Sequence, residues 1–157
     1  MTLHFILALT DFSTSAEHAL DRAALLAARH RASLRIMYAD EVPSLRFTDP
    51  FARLQQRARQ LARRHGIAAQ ALAHSGDMVD AIVRHAARAD VLVLDPRPHR
   101  AKHAFWRGTT LDQLMRRCPC PVLVVKQAPP RPYREVLVAV DFTPESRELV
   151  RFCRVSH

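Results

Sequence analysis

Short apolar runs alternate with amphipathic segments along most of this chain of 157 residues. Runs rich in Val, Ile, Leu and Ala predict buried strands. These runs cover residues 4–10, 33–39, 67–72, 90–95 and 122–126. Apolar positions at helical spacing predict helices between the strands. These segments lie at about residues 15–30, 50–65, after Asp77 and from 108 to about 117. Such alternation predicts an α/β fold, a doubly wound five-stranded parallel sheet with helices on both faces.

Polar residues indicate where the predicted helices begin and end. Thr14, with Glu17 three residues later, has the pattern of a capping box and predicts the start of the first helix. Asp49 followed by Pro50 predicts the N-cap and first turn of the second helix, and Gly66 predicts its end.

The beginning of the chain is repeated near its end. Ile6–Ser13 and Val136–Thr143 are both apolar runs that finish in Asp-Phe-hydroxyl, and they lie 130 residues apart. We therefore predict one complete domain at 1–126, a Pro-rich linker at 127–132, and the first strand and helix start of a second, incomplete copy at 133–157. Three origins stay open for the shortened copy: an expression boundary, a frameshift or a natural truncation.

The second copy predicts an extra C-terminal strand at Val136–Val140. A central-strand sequence without a sheet of its own exposes an aggregation-prone edge. We therefore expect it to pair with a sheet edge and to promote homodimerisation through residues 121–126 and 133–141.

Composition limits the class of protein. The apolar share of 48% and charged share of 25% are ordinary for a soluble globular domain. No apolar stretch approaches the length of a membrane span, and the first residues lack the basic region of a signal peptide. Three cysteines do not form a disulfide framework. We expect a cytoplasmic protein without membrane contact.

The net charge of +9 suits an anionic partner. However, nearly all of the cations are Arg in an Ala-rich chain, which is also typical of a GC-rich genome. The second helix is strongly basic; its arginines are Arg53, Arg57, Arg59, Arg63 and Arg64. It is either an ordinary sheet-covering helix or a binder of anionic polymer. Because the aromatic residues are not interleaved with the arginines, nucleic acid is not expected as a partner.

Several segments of the chain, in order, resemble the universal stress protein family. They are Leu7–Ser13, Ser75–Asp77, Ala89–Leu94, Gly108–Thr109 and Leu114–Val125. The resemblance covers residues 1–126 and begins again at about residue 134, as in tandem-domain members. It implies a Rossmann-like fold of the adenine nucleotide alpha hydrolase type. It also implies a cytosolic stress-response module that is not an enzyme and that dimerises.

Family members that bind ATP carry Gly-x2-Gly-x9-Gly-Ser/Thr after the fourth strand. In this chain Asp95 and Pro98 occupy the first two glycine positions, and Gly108 and Thr109 match the last pair. Asp95 places a negative charge where a triphosphate would lie, and Pro98 has no amide hydrogen to donate. The resemblance therefore implies a degraded nucleotide site. We expect no bound cofactor, with ATP or another adenine nucleotide as the alternative.

The residues that would form this degenerate site are Thr10, Asp11, Tyr38, Gly108, Thr109 and Thr110. Asp11 matches the family's nucleotide-site carboxylate, and Tyr38 falls where a smaller residue usually lines the adenine pocket. Two further roles stay open for Asp11: it binds magnesium, or it caps the first helix and hydrogen-bonds the turn.

Other chemistry has weak support in the sequence. No nucleophile motif is present, so no catalytic residue is predicted. Cys118-Pro-Cys120-Pro is too short a pattern for a metal site, and no metal is predicted. The alternative functions are an ATP-binding switch with weak hydrolysis and, second, a binder of anionic polymer.

Overall fold

The computed structural model of the chain describes residues 2–40, 47–96, 110–128, 137, 139 and 144–155. Its strands are β1 (Phe5–Thr10), β2 (Ser33–Tyr38), β3 (Ala69–Leu72), β4 (Val91–Leu94) and β5 (Val122–Val124). Its helices are α1 (Thr14–His30), α2 (Pro50–His65), α3 (Met78–Ala86), α4 (Thr110–Arg117) and α5 (Pro144–Val155).

The five strands form one parallel sheet in the order β3-β2-β1-β4-β5. β1 lies in the centre, where Ala8 pairs with Ile36 of β2 on one side and with Val93 of β4 on the other. The chain fills one half of the sheet with β2 and β3 before it returns to add β4 and β5. The strand order therefore reverses between β1 and β4, and ligands of such sheets bind beyond the carboxyl ends of the strands at this point. The predicted fold class is confirmed.

Two separate cores cover the two faces of the sheet. On one face, α1 and α2 bury Leu20 and Leu54 against Ile6. On the other face, α3 and α4 bury Ile82 and Leu114 beside other residues of β1 and β4. Alternate residues of β1 belong to alternate cores, as expected for a strand that is buried on both sides.

The first helix begins one residue earlier than the sequence pattern predicts. Ser13 is the N-cap, and its hydroxyl accepts a hydrogen bond from the amide of Ala16 at 3.2 Å. Thr14 is the first residue of α1, so the predicted capping box is wrong. Ser13 takes the cap because it is in extended conformation after the turn, as an N-cap must be.

The other helix boundaries follow the predicted signals. Asp49 caps α2 by accepting from the amide of Ala52 at 2.9 Å, with Pro50 in the first turn. Gly66 ends α2 in the left-handed region, at φ 64°. Asp77 caps α3 through the amide of Asp80, also at 2.9 Å.

Strands at the two sheet edges are shorter than predicted. β3 begins at Ala69 rather than at residue 67, because the amide of Ile67 donates to the carbonyl of Ala62 in the closing turn of α2. β5 ends at Val124. Each of these strands pairs on one side only within the described sheet.

Part of the predicted second copy can be compared with the structure. Leu137 and Ala139 belong to no strand, and Leu137 is fully exposed, in contrast to the predicted extra C-terminal strand. Val136, Val138 and Val140 lie outside the described residues. The predicted helix start is present as α5.

Candidate functional site at the carboxyl edge of the sheet

The turn after β1 is built from side chains that bind its own backbone. Thr10 is buried, and its hydroxyl accepts from the amide of Phe12 at 2.9 Å. The carboxylate of Asp11 accepts from the amide of Ser13 at 2.8 Å. Phe12 lies at φ 62°, a left-handed conformation that costs a residue without glycine's freedom about 1 kcal/mol or more. The two side-chain hydrogen bonds hold that conformation, so Asp11 has the turn-bonding role that the sequence left open.

Tyr38 lies beside this turn, since it pairs with Thr10 at the ends of β2 and β1. Its ring stacks on the ring of Phe12, with 5.1 Å between centroids and 24° between planes. The hydroxyl of Tyr38 donates to the carboxylate of Asp40 at 3.0 Å. The two rings therefore pack on each other at the carboxyl ends of β1 and β2.

Asp95 follows the last residue of β4 and is 1% exposed. Because Ala8 pairs with Val93, β4 ends near the carboxyl end of β1, and Asp95 follows at the same edge of the sheet as Thr10. Asp95 and Asp11 thus bring two carboxylate side chains to the edge where the strand order reverses.

The structure brings together Thr10, Asp11, Tyr38 and Asp95 among the predicted site residues. Thr110 is the first residue of α4 and is half-buried. Gly108, Thr109 and Pro98 lie outside the described residues. The basic residues and histidines of the same stretch also lie outside the described residues; they are Arg97, Arg100, Lys102, Arg107, His99 and His103.

Sequence reasoning missed a second cluster next to this edge. The guanidinium carbon of Arg53 lies over the ring of Phe12 at 4.7 Å and over the ring of Phe47 at 4.3 Å. The two rings meet edge to face at 5.2 Å. Three segments supply these residues, so no local pattern could have indicated the cluster. The only local signal is Asp49, which fixes the start of α2 and thereby the place of Arg53.

An open groove of about 430 Å³ begins at this cluster. It runs between α1 and α2 and is lined by Phe12, Glu17, Arg53, Gln56, Arg57 and Gln60. On its floor Arg57 forms ion pairs with Glu17 at 2.6 Å and with Asp21 at 3.3 Å. The positive charge of Arg57 is therefore balanced by these two acids. Arg53 adds a further positive charge to the groove, and Gln56 and Gln60 add neutral amides.

The cysteine pair before β5 is not in an environment that activates thiols. Burial raises the pKa of Cys118, and burial with the neighbouring Cys118 raises the pKa of Cys120 to about 11. Thiolates are the metal-binding and nucleophilic form of cysteine. Among the residues that the structure describes, no group of three His, Cys, Asp or Glu side chains could hold a metal ion. The described helices include none that is long and apolar enough to cross a membrane.

Comparison with known proteins identifies the family. A family model described as the Universal stress protein family matches residues 3–126. The chain belongs to the universal stress protein family. No curated protein matches the chain.

Solved structures of universal stress proteins share its fold. A universal stress protein in complex with cAMP is 24% identical, with a TM-score of 0.63; the match covers 80% of this chain and 98% of that one. A universal stress protein from Archaeoglobus fulgidus DSM 4304 is 25% identical with a TM-score of 0.65, over 79% of this chain and 44% of that one. A universal stress protein from Archaeoglobus fulgidus in complex with dAMP is 19% identical, with a TM-score of 0.57. That match covers 79% of this chain and 98% of the other.

Proposed function

We propose that this universal stress protein is a non-enzymatic stress-response module whose nucleotide site has lost its hold on triphosphates. The observation that carries the proposal is Asp95, buried at the end of β4 in the position of the first glycine of the family's ATP motif. Glycine at such a position lets backbone amides approach phosphate oxygens. Asp95 supplies a carboxylate there instead.

An ionised Asp95 would oppose the binding of a phosphate group at this sheet edge. A phosphate charge held 4 Å from a carboxylate is repelled by about 4 kcal/mol at an effective dielectric constant of about 20. That energy corresponds to about three orders of magnitude in affinity. Asp11 adds a second negative side chain at the same sheet edge. Pro98 would add the loss of one amide donor.

The stacked rings of Phe12 and Tyr38 give further support. They lie at the carboxyl ends of β1 and β2, next to the carboxylate that matches the family's nucleotide site. Tyr38, held by its hydrogen bond to Asp40, would leave an adenine ring less room at these strand ends than a smaller residue would. The site therefore disfavours both the triphosphate and the adenine ring of ATP.

We further propose a cytoplasmic homodimer that forms through residues 121–126 and 133–141. β5 is an edge of the described sheet, and its three residues are only half-buried. An edge strand of this kind is suited to pairing with another chain. Residues 133–157 would be the beginning of a second copy of the domain, as the repeated Asp-Phe-hydroxyl motif and helix α5 suggest.

A second candidate is an adenine nucleotide switch with weak hydrolysis, using Asp11, Gly108 and Thr109. The cAMP and dAMP complexes of structurally similar proteins favour it. Each of those ligands has a single phosphate, which needs fewer amide donors than a triphosphate. This candidate predicts that ATP or another adenine nucleotide is retained through purification.

Mass spectrometry of small molecules released from the purified protein, followed by thermal denaturation with cAMP, AMP, ADP or ATP, tests the proposal. A ligand at about 100 times its Kd stabilises by about 2.7 kcal/mol and would raise Tm by roughly 5–10 °C. We expect no retained nucleotide and no shift with ATP and magnesium. A shift with an adenine nucleotide would favour the second candidate. Copurified ATP would contradict the first proposal and support the second candidate.

A further inference from the structure

Helix α2 carries a positive surface that the described fold leaves open to solvent. We call it the arginine face and define it as Arg53, Arg59, Arg63 and Arg64, all of which are exposed. The helix Pro50–His65 contains no Asp or Glu. The face extends over about 16 Å along the helix axis, which is longer than a single phosphate group.

Neighbouring acids neutralise only one side of α2. Arg57 is only partly exposed and pairs with Glu17 and Asp21 on α1. Asp21 also approaches Arg64, at 4.0 Å. Arg59 and Arg63 lie one helical turn apart on the solvent side, away from α1. They are well placed to contact successive charges of an anionic polymer.

The fold places two aromatic rings beside this face, although aromatic residues are not interleaved with the arginines in the sequence. Arg53 lies over Phe12 and Phe47 at the mouth of the groove, although neither ring comes from α2. Gln56 and Gln60 line the groove further along. A volume of about 430 Å³ has room for a nucleobase. Glutamine amides both donate and accept hydrogen bonds, as the edges of a base require.

We propose that α2 and this groove form a binding surface for single-stranded nucleic acid. The phosphates lie along Arg59 and Arg63, and one unpaired base enters the groove, where it stacks on the guanidinium of Arg53 and hydrogen-bonds to Gln56 or Gln60. Stacking on Arg is a common way to hold unpaired bases. A duplex keeps its bases stacked inside the helix, so it cannot use the groove. The surface is independent of Asp95 and of the proposed loss of ATP binding.

A membrane surface fits this helix less well. The apolar side of α2, formed by Leu54, Ala58 and Leu61, is buried against the sheet. Phe51, at 38% exposure, is its one exposed large apolar residue in the described structure. Interfacial helices need a free apolar face to insert among lipids. The arginine face is therefore suited to a soluble polyanion.

Fluorescence anisotropy with a labelled oligouridylate of about 12 nucleotides tests the proposal. At about 50 mM salt we expect a Kd near the micromolar range that weakens steeply as salt is added. The double variant R59E/R63E should weaken binding at least about tenfold. The matched control R84E/R88E reverses two exposed arginines on the opposite face of the sheet and should change Kd less than about twofold. Circular dichroism establishes that both variants fold.

The variant Arg53→Lys separates base stacking from charge. Lysine keeps the charge but has no planar guanidinium, so oligouridylate binding should weaken about three- to tenfold while inorganic polyphosphate binding is unchanged. Oligothymidylate distinguishes single-stranded DNA from RNA as the preferred ligand. The proposal is overturned by absent oligonucleotide binding, by equal losses in both double variants, or by a duplex that binds as tightly as the single strand. It is also overturned if vesicles of phosphatidylserine bind the protein and the oligonucleotide does not.

Discussion

Tyr38 stacks on Phe12 with 5.1 Å between ring centroids, and its hydroxyl donates to Asp40 at 3.0 Å. The pair connects the end of β2 to the strained turn after β1, where Phe12 has a positive φ of 62°. Tyr38 therefore both stabilises the turn and occupies the carboxyl edge of the sheet. Stability and ligand access are linked at this one side chain.

Substitution of Tyr38 should separate stacking from hydrogen bonding. Tyr38→Phe keeps the ring and loses the bond to Asp40, which should lower the free energy of unfolding by about 0.5–1.5 kcal/mol. Tyr38→Ala also loses the stacked pair and buried ring area, for a total loss of about 2–4 kcal/mol. Urea denaturation followed by circular dichroism measures both. Equal losses in the two variants would mean that the ring contact with Phe12 contributes nothing.

The N-cap of α1 gives a prediction with a built-in control. Ser13→Ala removes the acceptor for the amide of Ala16 and should lower the free energy of unfolding by about 1 kcal/mol. Thr14→Ala changes an exposed first-turn residue and should have an effect within about 0.5 kcal/mol of zero. The same denaturation experiment applies. The reverse order of effects would restore Thr14 as the cap that the sequence pattern predicted.

The cysteine pair should be slow to react. With a pKa of about 11, Cys120 is a thiolate in only about 0.1% of molecules at pH 8, against about 10% for a thiol with the ordinary pKa of 9.0. Alkylation by iodoacetamide, measured by peptide mass spectrometry, should be far slower than in urea. Its rate should rise about tenfold per pH unit from 8 to 10. Fast alkylation in the native protein would contradict the burial of Cys120.

The raised pKa of Cys120 also predicts how stability depends on pH. The folded thiol holds its proton up to a pKa of about 11, whereas the unfolded thiol loses it near 9.0. Above pH 9 the unfolded state therefore binds fewer protons, and the free energy of unfolding should fall as the pH rises toward 11. Cys120→Ser should flatten this part of the profile. If this substitution leaves the pH profile of the unfolding free energy unchanged, groups other than Cys120 cause the pH dependence.

The pattern of apolar runs was sufficient to predict the sheet and both helical layers. Strands buried on two faces, such as β1 and β4, are continuous in Leu, Val and Ile, so they are easily recognised. The edge strand β3 is Ala-rich and only half-buried, and its start was misplaced because the C-terminal turn of α2 uses Ile67. The helix cap was misplaced by one residue because Ser13 and Thr14 are both good caps, and only the turn geometry distinguishes them.

The candidate site was predicted only where its residues follow directly from strand ends. Thr10, Asp11, Tyr38 and Asp95 each end or follow a strand, and parallel strands bring such residues to one edge. The contact of Arg53 with Phe12 and Phe47 depends on how α2 packs on α1. Packing of this kind leaves no trace in the spacing of residues. The basic character of α2 was predicted from the sequence, but the groove and its aromatic neighbours emerged only from the structure.

Isothermal titration with ATP and magnesium, on the natural chain and on its glycine-restored variant, tests the central claim most directly. Asp95→Gly together with Pro98→Gly recreates the glycine spacing of the family's ATP motif, and Asp95→Asn removes the charge alone. Circular dichroism checks that each variant folds, since glycine at a buried strand end costs about 1 kcal/mol. We predict no measurable binding by the natural chain, weak binding by Asp95→Asn, and micromolar binding by the double variant. Tight ATP binding by the natural chain, unchanged in the double variant, would contradict the account.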